Sequence, residues 1–146
     1  MMKEHDGSDC EIGEPLQAVY TFIGIAGINY GNCLCDSVQW FNCNNVTGMW
    51  PGTCDNNSDC FHPKNDCSVE DYSQFLRELN ARQETYRLAE NIVSMYSESD
   101  TSVPYKVWGR LTSVIPGSEV VKVYTNMSHE TLRSATIADQ LEQIAA

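Results

Sequence analysis

The 146-residue chain reads as a single α+β domain: an antiparallel sheet of three to four strands packed against two main helices, with a disulfide-stapled N-terminal half. Three observations predict this. All seven cysteines, Cys10, Cys33, Cys35, Cys43, Cys54, Cys60 and Cys67, fall in the first 67 residues, a density that in a small chain signals a disulfide framework built in an oxidising compartment. Apolar residues recur at steps of three and four from Tyr72 to Tyr96, and again from Leu132 to Ala145, the period of amphipathic helices. Between those stretches, two β-rich runs flank Pro116-Gly117-Ser118. Strands joined by a tight turn must be antiparallel.

Residues 1–9 read as a flexible terminus without the apolar core of a signal peptide, as expected of a mature form whose start methionine replaces a removed leader. The Ala18–Ile25 run, rich in β-formers, predicts a buried strand. Residues 10–67 otherwise form a cysteine-rich loop full of Asn, Gly and Asp, with a turn at Pro51-Gly52 and a short strand at Val38–Phe41. Ser68-Val69-Glu70-Asp71 is a capping-box pattern and opens a helix expected to run from Val69 to Tyr96. Val103–Ile115 and Glu119–Asn126 follow as a hairpin. A three-residue loop sets its register, pairing Leu111 with Val123, Ser113 with Val121, Arg110 with Tyr124 and Thr112 with Lys122. Ser128 caps a second helix over 129–145, with Leu132, Ala135, Ala138, Leu141 and Ala145 on one face. The expected core is Val19, Phe22, Ile23, Phe75, Leu79, Val93, Leu111, Val121, Val123 and Leu141.

Charge and hydropathy exclude several functions. Twenty acids against nine bases give a net charge of −11, which lacks the basic footprint of a nucleic-acid binder. A mean hydropathy of −0.36, with no apolar run near the length of a bilayer, excludes a membrane span. The cysteine spacings do not form the paired short knuckles of zinc modules, so disulfides are expected, at least three, with Cys33 and Cys35 bonded to different partners. Asp55, Asn57, Asp59 and Asp66 sit at calcium-loop spacing, but Cys60 stands where that loop needs glycine. An Asx-rich turn is the better reading, and no cofactor or metal is expected. Asn45, Asn56 and Asn126 begin N-x-S/T sequons and are candidate glycosylation sites in a secreted protein.

Of the three histidines, His5 lies in the terminus, His62 stands beside Asp59 in the cysteine loop, and His129 follows a helix cap facing solvent. No nucleophile motif accompanies them. The hairpin register places Lys106, Trp108, Arg110, Lys122 and Tyr124 on one face. That basic, aromatic patch on an acidic protein has the residue types of a binding hot spot. In the competing arrangement a helix or the cysteine loop covers this face and buries Trp108 as a second core.

The order of strand, cysteine loop, helix, hairpin and helix resembles small secreted fungal effectors, in particular the Leptosphaeria avirulence-and-suppressing family. Trp108-Gly109-Arg110-Leu111 is the nearest counterpart of that family's Trp-Arg-aromatic-x-x-Arg motif, with Gly109 between Trp and Arg and Ser113 or Val114 at the second Arg. The resemblance implies a virulence protein of the host apoplast. It would bind a host protein or immune receptor without catalysis, in an oligomeric state the sequence does not set. The alternative is a small secreted enzyme or toxin, such as a ribonuclease-like hydrolase. It would need a concave site that includes His62 or His129.

Overall fold

A computed structural model describes residues 19–37, 41–54, 59–63, 67, 69–85 and 89–145. The elements are β1 (Thr21–Ile25), α1 (Leu34–Ser37), α2 (Gln74–Thr85), β2 (Asn91–Ser97), β3 (Lys106–Val107), β4 (Arg110–Leu111), β5 (Val120–Tyr124), α3 (His129–Ala135) and α4 (Ile137–Ala145). Helices, sheet and a disulfide-stapled N-terminal half are present, as the α+β reading requires. The direction of the strands is not as expected. β1, β2 and β5 form a parallel sheet in the order β1-β2-β5, with Phe22 opposite Ile92 and Tyr96 opposite Val123.

The central strand explains the difference. Residues 91–97 carry a helical apolar period, yet they contain β-branched Ile92 and Val93, and every residue from Ile92 to Ser97 is buried. A run buried on both faces cannot be told from a helix by periodicity alone. The expected helix from Val69 to Tyr96 is therefore reduced to α2. Ser68 of its capping box lies outside the described residues. Asp71 instead accepts the Thr53 backbone N–H at 2.9 Å and the Thr53 hydroxyl at 2.6 Å.

The turn at Pro116-Gly117 exists, with the Ser118 N–H donating to the Ile115 carbonyl at 3.1 Å. It does not close a hairpin between the two long runs. It delivers Val120 beside Val93 as a parallel partner, and residues 98–119 serve as the crossover that parallel strands need. Inside the crossover, β3 and β4 pair Lys106 with Leu111 and Val107 with Arg110. Trp108 (φ 50°) and Gly109 (φ 85°) supply the two left-handed residues of the connecting turn. The expected pairs Leu111–Val123, Ser113–Val121, Arg110–Tyr124 and Thr112–Lys122 are accordingly not made.

This topology redistributes the core. Val93 is buried as expected; Val19, Ile23, Phe75 and Leu79 are half-buried; Phe22, Leu111, Val121, Val123 and Leu141 are exposed. Ser128 caps α3 as expected, in a reciprocal box with Thr131, and Leu132 is fully buried. The helix breaks at Thr136, however, and α4 turns its polar side inward. Lys122 Nζ reaches Asp139 at 3.4 Å and Glu142 at 2.8 Å, and the Tyr124 hydroxyl donates to Asp139. The apolar stripe of Ile137, Leu141 and Ile144 faces outward.

Three disulfides, Cys33–Cys60, Cys35–Cys43 and Cys54–Cys67, staple the N-terminal half. Cys33 and Cys35 take different partners, as anticipated, and Cys10 lies outside the described residues. The Cys33–Cys60 bridge, Val69 and Val107 enclose Trp108, which is only 3% exposed. Its indole N–H donates to the Pro51 carbonyl at 3.1 Å. Of the expected strand at Val38–Phe41, only Phe41 is described, in an exposed turn.

Candidate active site

β2 and β5 are parallel neighbours, so their carboxyl ends lie side by side, with Ser97 opposite Tyr124. In open parallel sheets this end of the strands is where ligands bind. The chain leaves β2 through a turn closed by the Asp100 N–H donating to the Ser97 carbonyl at 3.2 Å. It leaves β5 through Asn126 (φ 61°) into the Ser128 cap. Two hydrogen bonds clasp these exits together. The Glu98 N–H donates to the Tyr124 carbonyl at 2.9 Å, and the Asn126 N–H donates to Ser99 Oγ at 3.1 Å.

The clasp brings His129, the first residue of α3, against Asp100. His129 Nδ1 lies 2.8 Å from Asp100 Oδ2. The Asp100 side chain is 1% exposed and the His129 side chain 42%. A carboxylate this deeply buried needs partners on both oxygens. Asp100 has them, since its Oδ1 accepts the N–H groups of Ser102 and Val103, each at 2.9 Å. With the carboxylate accepting from Nδ1–H, the neutral ring keeps its lone pair on Nε2. The result is an imidazole partly open to solvent and backed by a buried carboxylate. Among the described residues no hydroxyl is bonded to Nε2, and the sequence contains no Gly-x-Ser-x-Gly pattern.

The other sequence candidates scatter. His62 forms an exposed pair with Asp59 at 3.1 Å and its side chain is 86% exposed, while His5 lies outside the described residues. The expected patch is not assembled, because it depended on the antiparallel register. Trp108 is buried, so the arrangement with a second core under the cysteine loop is the one found. Lys106 lies over the Tyr105 ring, Arg110 over the Tyr30 ring, and Lys122 and Tyr124 are engaged by α4. Asp59 Oδ1 accepts the Phe61 N–H, whereas Asp55, Asn57 and Asp66 lie outside the described residues. Among the described residues no three His, Cys, Asp or Glu side chains converge on a metal position. Asn45 and Asn126 are exposed, and Asn56 is outside.

Sequence reasoning missed Asp100. Its signal was positional: an acid just beyond a buried strand, followed beyond that strand's sheet neighbour β5 by a histidine. Reading the run up to Tyr96 as helix concealed it.

The parallel sheet delivers first an Asp and later a His to the same end, the order in which these two residue types follow the nucleophile in α/β-hydrolases. The family model described as Lipase (class 2) matches residues 3–142, and the chain belongs to that family. Searches of curated proteins and of solved structures return no match. The family match overturns the effector resemblance and, with it, the reading of a virulence protein that binds without catalysis. The host-protein partner rested on that resemblance. The enzyme alternative is the nearer one, as a lipase and not a ribonuclease. Three disulfides, and the absence among the described residues of a helix long and apolar enough to cross a membrane, are compatible with secretion.

Proposed function

We propose that the chain is a secreted lipolytic enzyme in which His129 is the general base and Asp100 orients it. The observation that carries this reading is the 2.8 Å contact between His129 Nδ1 and the buried Asp100 carboxylate at the carboxyl ends of adjacent parallel strands, within a chain of the class 2 lipase family. In this scheme Nε2 takes the proton from the attacking hydroxyl as its oxygen bonds to the ester carbonyl carbon. Asp100 stabilises the imidazolium without itself taking the proton. The imidazolium then protonates the departing alcohol oxygen as the carbonyl carbon–oxygen ester bond breaks.

The test is hydrolysis of p-nitrophenyl butyrate and of an emulsified triglyceride by the oxidised chain, compared with His129→Ala. The expected loss is about 100-fold or more, within the range of a general base. A wild-type rate equal to that of His129→Ala would overturn the reading. A fluorophosphonate probe followed by peptide mapping identifies the nucleophile.

A further inference from the structure

We propose that the outward face of α4 docks this chain on the surface of a zwitterionic phospholipid aggregate. The proposal rests on the lipolytic reading above and gives that enzyme the surface on which it meets lipid.

Helical spacing builds the face. Ile137, Leu141 and Ile144 recur at steps of four and three, so they share one side of α4. They are 54%, 60% and 58% exposed, and no residue of the helix is buried. Ala138 and Ala145, also exposed, flank them. Asp139 and Glu142 lie on the opposite side. There Lys122 meets both, at 3.4 and 2.8 Å, and the Tyr124 hydroxyl donates to Asp139. The two charges of α4 are thus engaged with β5, and the face left to solvent is apolar and uncharged.

Size and charge select the occupant. Three such side chains expose on the order of 300 Å² of apolar surface, whereas a stable protein–protein interface needs about 800 Å² on each partner. A second copy seated on this face would be held weakly, but a lipid surface takes up apolar side chains one by one. Helices that lie on anionic lipid carry Lys and Arg on their polar side. α4 contains neither and carries Asp139 and Glu142 instead, in a chain of net charge −11. An anionic surface would repel it, so the matching surface bears no net charge. The position suits an enzyme acting on lipid, since only Thr136 separates α4 from α3, the helix that begins with His129.

The experiment is flotation of the full oxidised chain with phosphatidylcholine vesicles. Saturable binding is expected that added salt does not release, with weaker binding to phosphatidylglycerol vesicles. The exposed double variant Leu141→Gln, Ile144→Gln should lower the partition coefficient about tenfold or more, because binding scales with buried apolar area. Val121→Thr, Val123→Thr is the control, on the opposite face of the sheet from Lys122 and Tyr124, and should bind as wild type does. The glutamine variant should hydrolyse dissolved p-nitrophenyl butyrate at the wild-type rate and emulsified triglyceride more slowly. Vesicle binding needs no catalysis, so a wild-type chain that floats but does not hydrolyse p-nitrophenyl butyrate refutes the lipolytic reading and not the docking face. In Leu141→Trp, the added emission should shift to the blue when vesicles are supplied. Emission already blue without vesicles would show the face covered within the molecule and overturn the proposal. So would wild type that does not float, a glutamine variant that floats equally well, preference for phosphatidylglycerol, or a wild-type dimer that the glutamine variant abolishes.

Discussion

Asp100 and His129 stand 29 positions apart in the chain and 2.8 Å apart in space, each a few residues beyond the end of one of two neighbouring parallel strands. The separation takes in most of the crossover, β5 and its exit turn, and the contact is a consequence of strand direction. Had β5 run antiparallel to β2, His129 would emerge at the opposite end of the sheet from Asp100. The Ser99–Asn126 hydrogen bond closes the remaining gap by tying the two exit turns.

Asp100→Asn tests the pair with little change in shape. The amide oxygen can still accept from Ser102 and Val103, but its NH2 then faces His129 Nδ1 and favours the other tautomer. Proton NMR should lose the low-field Nδ1–H resonance, and ester hydrolysis should fall by about 10⁴-fold, as such a change does in other triads. The far-UV spectrum should be unchanged. An unaltered rate would remove Asp100 from its orienting role.

Docking of α4 should depend on pH at both extremes. The hydrogen bond from Tyr124, opposed by burial and aided by Lys122, holds the Asp139 carboxyl below its ordinary 3.8. Burial first, then the bond to Asp139, raises the Tyr124 phenol above its ordinary 10.0. The bond to Glu142 raises Lys122 above 10.5. The Asp139 contribution is present above 3.8 and lost as pH falls through its lowered folded value. Those of Tyr124 and Lys122 are complete below their ordinary values and lost as pH rises through the raised ones. Amide exchange in Ile137–Ala145 should therefore be slowest, after correction for intrinsic rates, between about pH 4 and 10. Tyr124→Phe should remove the latest-ionising tyrosine from the 295 nm titration.

Breaking the Cys33–Cys60 bridge removes the cover of Trp108. The Cys33→Ala, Cys60→Ala double variant should lose about 2–4 kcal/mol of stability, read as a lower melting temperature. Trp108 emission should shift to the red. Amide protection in β2 and β5 should persist, because none of their pairings passes through the cysteine loop. Loss of sheet protection first would contradict this order.

Two glycines with positive φ should respond differently to alanine. A Cβ on Gly31 (φ +93°) would sit 2.6 Å from Pro51 Cα and 2.8 Å from the Trp50 carbonyl oxygen, whereas one on Gly117 (φ +80°) meets nothing within 4 Å. Gly117→Ala carries backbone strain alone, about 1–2 kcal/mol. Gly31→Ala adds a clash with backbone that cannot rotate away, so its melting temperature should fall further. Equal losses would contradict the packing of the Gly31 turn on Pro51.

Features set by a few neighbouring residues are legible in the sequence itself. The density of cysteines announces the disulfides, Ser128 announces the α3 cap, and the β-rich run before Gly27 announces β1. Each depends on chemistry within one or two turns of chain. The rest depends on partners far away in sequence. Ile92-Val93-Ser94-Met95 is strand and not helix because β1 and β5 flank it. Its direction, and hence the meeting of Asp100 with His129, follows from a crossover whose path no local pattern encodes. Trp108 is buried because a disulfide more than 40 residues upstream folds over it. The apolar stripe of α4 is plain in the sequence, but the side it faces is not. Lys122 and Tyr124 present charge and a hydroxyl to that helix and bond Asp139 and Glu142, while Ile137, Leu141 and Ile144 stay exposed.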